Sequence, residues 1–231
     1  MMMIRLLAAA GLLCLMPYDA RAQVGHEPTR SPYRDLEHRQ ELTFFGGQFL
    51  AAKEPASVAP KSGPMFGVAY ELRMSGPAYF TSRIAGVLSE RNVVDPTKLL
   101  AERALGTQQV NMLLAEVGFA LNLTGYKSWH GVVPALGVGA GVGTGFDKSD
   151  VGGFKFGAPF MFTVRPALKL APRGRWQGRI DGGNYFYRIR YPESYFTKST
   201  ADPTVLPPRS SRNLWRRNLG VTVGVTYNYG R

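Results

Sequence analysis

Cysteine is nearly missing from this chain, histidine is scarce, and no apolar run is long enough for a membrane helix. The one cysteine, Cys14, lies in a stretch that reads as an export signal. Arg5 precedes an apolar run from Leu6 to Met16, Pro17 follows, and Ala20-Arg21-Ala22 supplies a small-x-small cleavage pattern. That run is about half the length a spanning helix needs. Cleavage is expected near Ala22–Gln23, and Leu13 before Cys14 argues against lipidation. The remaining chain then has no disulfide, no thiolate metal ligand and no cysteine nucleophile. The three histidines, His26, His38 and His130, lack metal-ligand spacing, so no metal site is expected. The glycine-rich stretch near residue 140 contains no G-x-G-x-x-G and precedes nothing helical, which removes the nucleotide-cradle reading. No cofactor is expected. Acids are also few. Without Arg5, Arg21 and Asp19 the charge is 28 − 2 = 26 bases against 16 − 1 = 15 acids, or +11. In an exported protein that excess suits lipid phosphates rather than nucleic acid.

What is present is alternation. From Asn218 onward, Leu219, Val221, Val223, Val225, Tyr227 and Tyr229 form one parity, and Asn218, Gly220, Thr222, Gly224, Thr226 and Asn228 the other. A strand has a side-chain period of two, so this segment has one apolar face and one small, wettable face. Thr222, Gly224, Tyr227 and Tyr229 fit the polar-x-Gly-x-x-aromatic-x-aromatic ending of outer-membrane β-barrel proteins. The chain resembles that class, with one departure: Gly230 and Arg231 follow the last aromatic.

Upstream, strand candidates lie near Glu41–Ala52, Met65–Met74, Ala78–Arg91, Gln108–Thr124, His130–Gly143, Phe154–Leu170 and Arg175–Tyr191; Arg212–Tyr229 is the eighth. Connections around Lys53–Pro64, Asn92–Thr107, Thr144–Gly153 and Pro192–Ser211 are long. Those at Ser75–Pro77, Gly125–Trp129 and Ala171–Gly174 are short. An even strand number with alternating long and short connections is the outer-membrane layout, both termini being periplasmic. The expected fold is all-β: an eight-stranded antiparallel up-and-down transmembrane β-barrel with long extracellular loops and short periplasmic turns. Residues 1–22 are then the signal peptide, 23–40 a periplasmic segment and 41–231 the barrel. Asp95-Pro96 resembles a helix start, so a short helix in the second long loop is an alternative.

Charge parity tests this layout, because Arg or Lys facing lipid at the bilayer midplane costs about 2–4 kcal/mol. Phe154, Phe156, Ala158, Phe160, Phe162, Val164, Leu168 and Leu170 share one parity, and Lys155, Arg165 and Lys169 take the other. Phe66, Val68, Tyr70 and Leu72 oppose Glu71 and Arg73. Leu113, Ala115, Val117, Phe119, Leu121 and Leu123 oppose Glu116, and Trp176 and Ile180 oppose Arg179 and Asp181. Arg188 and Arg190 then break the rule. A bulge at Gly182-Gly183 would turn them inward and turn Tyr185, Tyr187, Ile189 and Tyr191 outward. The expected lumen network is Glu71, Arg73, Arg83, Glu116, Arg165, Lys169, Arg179 and Asp181, paired to satisfy charges shut away from water. A soluble lipocalin-like barrel would show the same alternation. The bare glycines Gly137, Gly139, Gly141, Gly143 and Gly145 on the polar parity favour a crowded lumen, where they leave room for Arg165 or Met161.

The resemblance is to small bacterial barrels of the OmpA/OmpX/OmpW type and covers about Glu41 to Tyr229. It implies an outer-membrane location and insertion by the barrel-assembly machinery through Thr222, Gly224, Tyr227 and Tyr229. It also implies a structural, adhesive or narrow-pore role. Some such barrels modify lipid A with a His, a Ser and an acid near the outer leaflet. All three histidines here map to the periplasmic side, so no catalytic residue is assigned. Lys198, Arg209, Arg212 and Arg217, near the longest loop, are the expected contacts to lipopolysaccharide phosphates. The leading expectation is a non-enzymatic envelope or surface-interaction role. A narrow pore for small or hydrophobic solutes, a lipid A-modifying enzyme and a soluble carrier are the alternatives.

Overall fold

The computed structural model describes residues 31–146, 148–171, 174–197 and 204–230. The expected signal peptide and Lys198 lie outside them. The chain divides into two units, 1–31 and 32–231, and the second is a closed barrel. Its eight strands are β1 (Gln40–Leu50), β2 (Gly63–Ser75), β3 (Ala78–Val87), β4 (Met112–Asn122), β5 (Val132–Gly145), β6 (Phe160–Leu170), β7 (Trp176–Arg190) and β8 (Asn213–Tyr229). Each pairs antiparallel with its chain neighbours, and β8 pairs with β1 to close the ring. Closure leaves no barrel edge unpaired, which a sheet in hydrocarbon requires.

Alternation does in three dimensions what the sequence led one to expect over most of the wall. Phe66, Val68, Leu72, Val117, Phe119, Leu136, Val138, Phe160, Phe162, Ile180, Val221, Val223 and Val225 are exposed on the outside. Thr43, Glu71, Arg83, Glu116, Arg165, Lys169, Arg179, Asp181, Thr222 and Thr226 are buried inside. β1, whose parity the sequence left open, turns Glu41, Thr43, Phe45 and Phe49 inward.

Aromatic residues border the apolar belt. Trp176 packs on Tyr227 and Tyr227 on Tyr229 at the end where β1 begins and β8 finishes, whereas Phe160, Phe162 and Trp215 pack together at the loop end. Trp215 and Tyr227 are 227 − 215 = 12 residues apart on β8. At about 3.3 Å per residue and a tilt near 40°, they stand roughly 30 Å apart along the barrel axis, the thickness of a bilayer's hydrocarbon.

Three expectations about segments change. Asn92–Thr107 holds no helix. Glu90–Val94 and Ala104–Gln109 form a separate two-stranded hairpin, and Asp95 starts its reversal by accepting from both the amide (2.9 Å) and hydroxyl (2.6 Å) of Thr97. Side-chain capture of the backbone by Asp favours a turn over a helix start. β6 begins at Phe160 rather than Phe154, so Phe154 and Phe156 are loop residues, buried under the other loops. The Gly182-Gly183 bulge is absent: pairing with β8 runs in register through Gly182↔Val221, Gly183↔Gly220 and Asn184↔Leu219. Tyr185, Tyr187, Ile189 and Tyr191 are therefore inside, and Arg188 and Arg190 outside. The glycines serve a different purpose. The Tyr185 ring lies over Gly183 and its β8 partner Gly220, where a Cβ would stand 2.8 or 2.7 Å from it, whereas Gly182 has the other parity and faces Pro166.

Candidate functional site

The lumen has two layers. Toward the termini it is charged. Glu41 on β1 and Glu71 on β2 are directly opposed, as are Lys169 on β6 and Arg179 on β7. Like charges in register repel, but here an acidic pair faces a basic pair across the barrel. Lys169 Nζ donates to Glu41 at 2.8 Å and to Glu71 at 2.7 Å, and Arg179 Nη1 donates to Glu71 at 2.6 Å. Arg179 Nε also binds both oxygens of Asp181, at 2.9 and 3.0 Å. Asp181 lies 3.7 Å from Arg83, whose other amino group donates to Thr222 at 3.1 Å. The Arg83 guanidinium stands 3.5 Å over the Phe45 ring, and Lys169 is 4.6 Å over Tyr79.

The remaining pair is Arg165 with Glu116, on β6 and β4. These strands flank β5, and the two side chains meet across its glycine stripe. A Cβ at Gly139 would come within 2.8 Å of Thr163 Oγ1 and 3.6 Å of Glu116. Four acids and four bases thus cancel within one layer, each almost fully buried. Desolvated charges persist only when paired in this way.

Arg73 does not join the network. It is half-buried and donates to the Leu36 carbonyl at 2.9 Å, beneath the segment leading into β1. Glu41 is the member the sequence reading missed. Its signal was available: it shares the parity of Thr43 and Phe45 on a strand whose outward residues are Leu42, Phe44 and Leu50.

Toward the loops the interior becomes apolar. Phe49, Met65, Met112, Leu114, Met161, Tyr185 and Tyr187 fill the barrel, and Val58, Phe154, Phe156, Tyr191, Tyr195 and Leu206 continue the cluster into the loops. Ring contacts run through it: Phe49–Tyr185, Phe156–Tyr187, Phe154–Tyr191 and Tyr191–Tyr195. Two buried carboxylates tie the loops over this cap. Glu54 in the β1–β2 loop accepts from the amides of Ala56 (2.9 Å), Val58 and Ala59 (3.0 Å), and the Tyr191 hydroxyl donates to it. Burial, and then this carboxylate, hold the Tyr191 hydroxyl well above the usual phenol range. Asp150 in the β5–β6 loop pairs with Arg91 of the hairpin at 2.7 Å, and Arg91 also donates to Gln108 at 2.9 Å.

At the opposite end, Tyr33–Asp35 pairs with Lys127–Trp129 and partly covers the opening. His38 lines a cavity of about 460 Å³ there with Glu41, Ser128 and Gln177. His130 is exposed, its ring edge-on to Trp129 at 5.0 Å. Among the described residues no three metal-ligating side chains converge.

The bases expected to meet lipopolysaccharide lie in different settings at the outer rim. Arg212 is paired with Glu193 at 2.8 Å, and Arg209 is exposed on the loop. Arg217 faces outward and donates to Asn184 at 2.9 Å. Arg188 and Arg190 lie on the same outer face, opposite Trp215 and Asn213. The four residues of the terminal pattern divide by face, with Thr222 buried inside, Gly224 on the same parity, and Tyr227 and Tyr229 at the outer aromatic border.

No family model and no curated protein matches the chain. Solved structures do. The outer membrane protein OprG of Pseudomonas aeruginosa aligns over 84% of this chain and 98% of its own, at 12% identity and a TM-score of 0.54. Neisserial surface protein A aligns over 86% and 98%, at 11% identity and a TM-score of 0.48. At this identity the OprG likeness speaks to fold. Joined to the apolar belt, the aromatic borders and the neutralised lumen, it gives the chain the fold and the lipid-facing surface of a small eight-stranded barrel of the bacterial outer membrane.

Proposed function

We propose that this protein is a closed, non-catalytic outer-membrane barrel with a structural or surface-interaction role in the envelope. One observation carries the reading. Side chains bonded to one another across the barrel fill the lumen, and a continuous apolar cap covers them on the loop side. A solute path would require Glu71 to release two bases at once. The test is single-channel recording of the refolded protein in planar bilayers. A silent membrane is the expected result. Stable conductance steps would replace this reading with a narrow pore for small or hydrophobic solutes.

The non-catalytic part rests on the separation of the chemistry-bearing side chains. His38 and His130 lie at the terminal end, away from the loop rim where lipid A chemistry would occur. Mass spectrometry of lipid A incubated with the folded protein should show no acyl change, and any specific change would restore the enzyme class. The partners on this reading are outer-membrane lipids, with lipopolysaccharide phosphates met by outward Arg188, Arg190 and Arg217 beside Trp215. The barrel-assembly machinery is the partner during insertion, through Thr222, Gly224, Tyr227 and Tyr229.

A further inference from the structure

Among the described residues, one inward guanidinium of the barrel wall pairs with no acid. Arg83, Arg91, Arg165, Lys169 and Arg179 each have a carboxylate within ion-pair reach. Arg216 on β8, directly opposite Tyr187, is 4% exposed and forms no ion pair among the described residues. Its Nε has no hydrogen-bond partner. The acid on the same wall, Glu54, is already engaged by three backbone amides and the Tyr191 hydroxyl. An unpaired buried guanidinium is unfavourable unless something anionic reaches it.

Arg216 lines a cavity of about 700 Å³ at the loop end. Lys53 and Lys61 line it too, with Ser57, Ser62 and Asn92. Lys61 is shared with Glu90 at 3.3 Å, whereas Lys53 is exposed and has no ion partner among the described residues. Against these bases the wall itself carries a single acid, Glu54. Ala51, Ala52 and Ala59 add a small apolar surface. Such a mixture, a few convergent polar groups in a concave site of this size, is what small-ligand pockets offer.

We propose that this cavity binds a small oxyanion, a phosphate- or carboxylate-bearing molecule, with Arg216 as its buried counter-charge and Lys53 at the mouth. The planar guanidinium fork matches two oxygens of either group. The cavity lies on the loop side of the charged layer, so the site stands whether or not the lumen conducts. It differs from the outer rim, where Arg188, Arg190 and Arg217 face outward rather than into the interior.

The test is calorimetric titration of inorganic phosphate into the full chain refolded in detergent, with heat-shifted gel mobility reporting the closed barrel. Saturable binding is expected, with a Kd of about 1 mM or tighter. Arg216→Gln should weaken it by about tenfold or more, and the outward-facing Arg217→Gln should leave it unchanged. Lys53→Gln is exposed, does not threaten the fold, and should weaken binding by about threefold. No saturable binding by the folded wild type overturns the proposal. So does undiminished affinity in both Lys53→Gln and folded Arg216→Gln. Repeating the titration in nanodiscs containing lipopolysaccharide separates the sources of the anion. Lost phosphate binding there means a lipid headgroup phosphate fills the cavity, and retained binding means a free small anion does.

Discussion

The charged layer and the apolar cap occupy the same barrel and invert each other's chemistry. Over the part of the lipid-facing wall nearer the start of β1 the interior is ionic, and nearer the loops it is already apolar. Where the loops rise beyond the aromatic border, the interior is apolar and the surface polar. The reason is the solvent outside. In lipid, the wall gains nothing by hiding apolar side chains, so the interior can be polar provided its charges cancel. Loops in water need a hydrophobic core to fold at all, and Phe154, Tyr191, Tyr195 and Leu206 supply one. The charged layer fixes the barrel, and the cap fixes the loops.

Breaking the lower layer should have the larger effect. Arg179→Ala leaves Glu71 with one partner and Asp181 with a distant Arg83, and should lower barrel stability by about 3–5 kcal/mol. Urea unfolding followed by gel mobility measures it; an unchanged midpoint would mean the pairs are not interlocked. Phe154→Ala removes a fully buried ring from the cap and should cost about 3 kcal/mol of loop stability. Here the readout should split: faster protease cleavage in the loops, with the heat-shifted barrel band preserved. Coincident loss of both would show that the two layers unfold as one unit.

The cap should also respond to alkali. Tyr191 titrates higher when folded than the phenol value of about 10 in an unfolded chain. Its hydrogen bond to Glu54 is therefore fully present below pH 10, and its contribution is lost as pH rises beyond that toward the folded value. Protease sensitivity of the loops should rise above pH 10 in the wild type and rise less steeply in Tyr191→Phe, where buried Tyr195 still titrates. The smallest effect belongs to the surface. Arg212→Ala removes an exposed pair with Glu193 and should change stability by less than about 1 kcal/mol; a larger loss would make that loop part of the cap.

Along the lipid-facing wall the sequence was readable. Phe66 and Val68 against Glu71, or Phe160 and Phe162 against Arg165, mark faces correctly because charge and grease fall on opposite parities there. The same rule misled near the loops. It points Tyr185, Tyr187 and Ile189 outward and Arg188 and Arg190 inward, because it equates apolar with lipid-facing; the observed register reverses both. At that height the interior is the apolar side, and Arg188 stands at the aromatic border opposite Trp215 with Arg190 past it, so the rule changes sign. Phe154 and Phe156 failed for the same reason: they extend the parity of Phe160 on paper but belong to a folded loop.

The amino-acid sequence by itself determined the strand number, the up-and-down layout and the outward face over the membrane's thickness. All of these follow from a local period of two and from the cost of charge in lipid. Only the tertiary structure decided which charges meet. Lys169 reaches Glu41 and Glu71 across the lumen, Glu116 reaches Arg165 over the bare glycines of β5, and Arg216 meets no acid among the described residues. Those partnerships join residues as far apart as 128 positions in the chain. They depend on the register and closure of the whole ring, which no local pattern encodes.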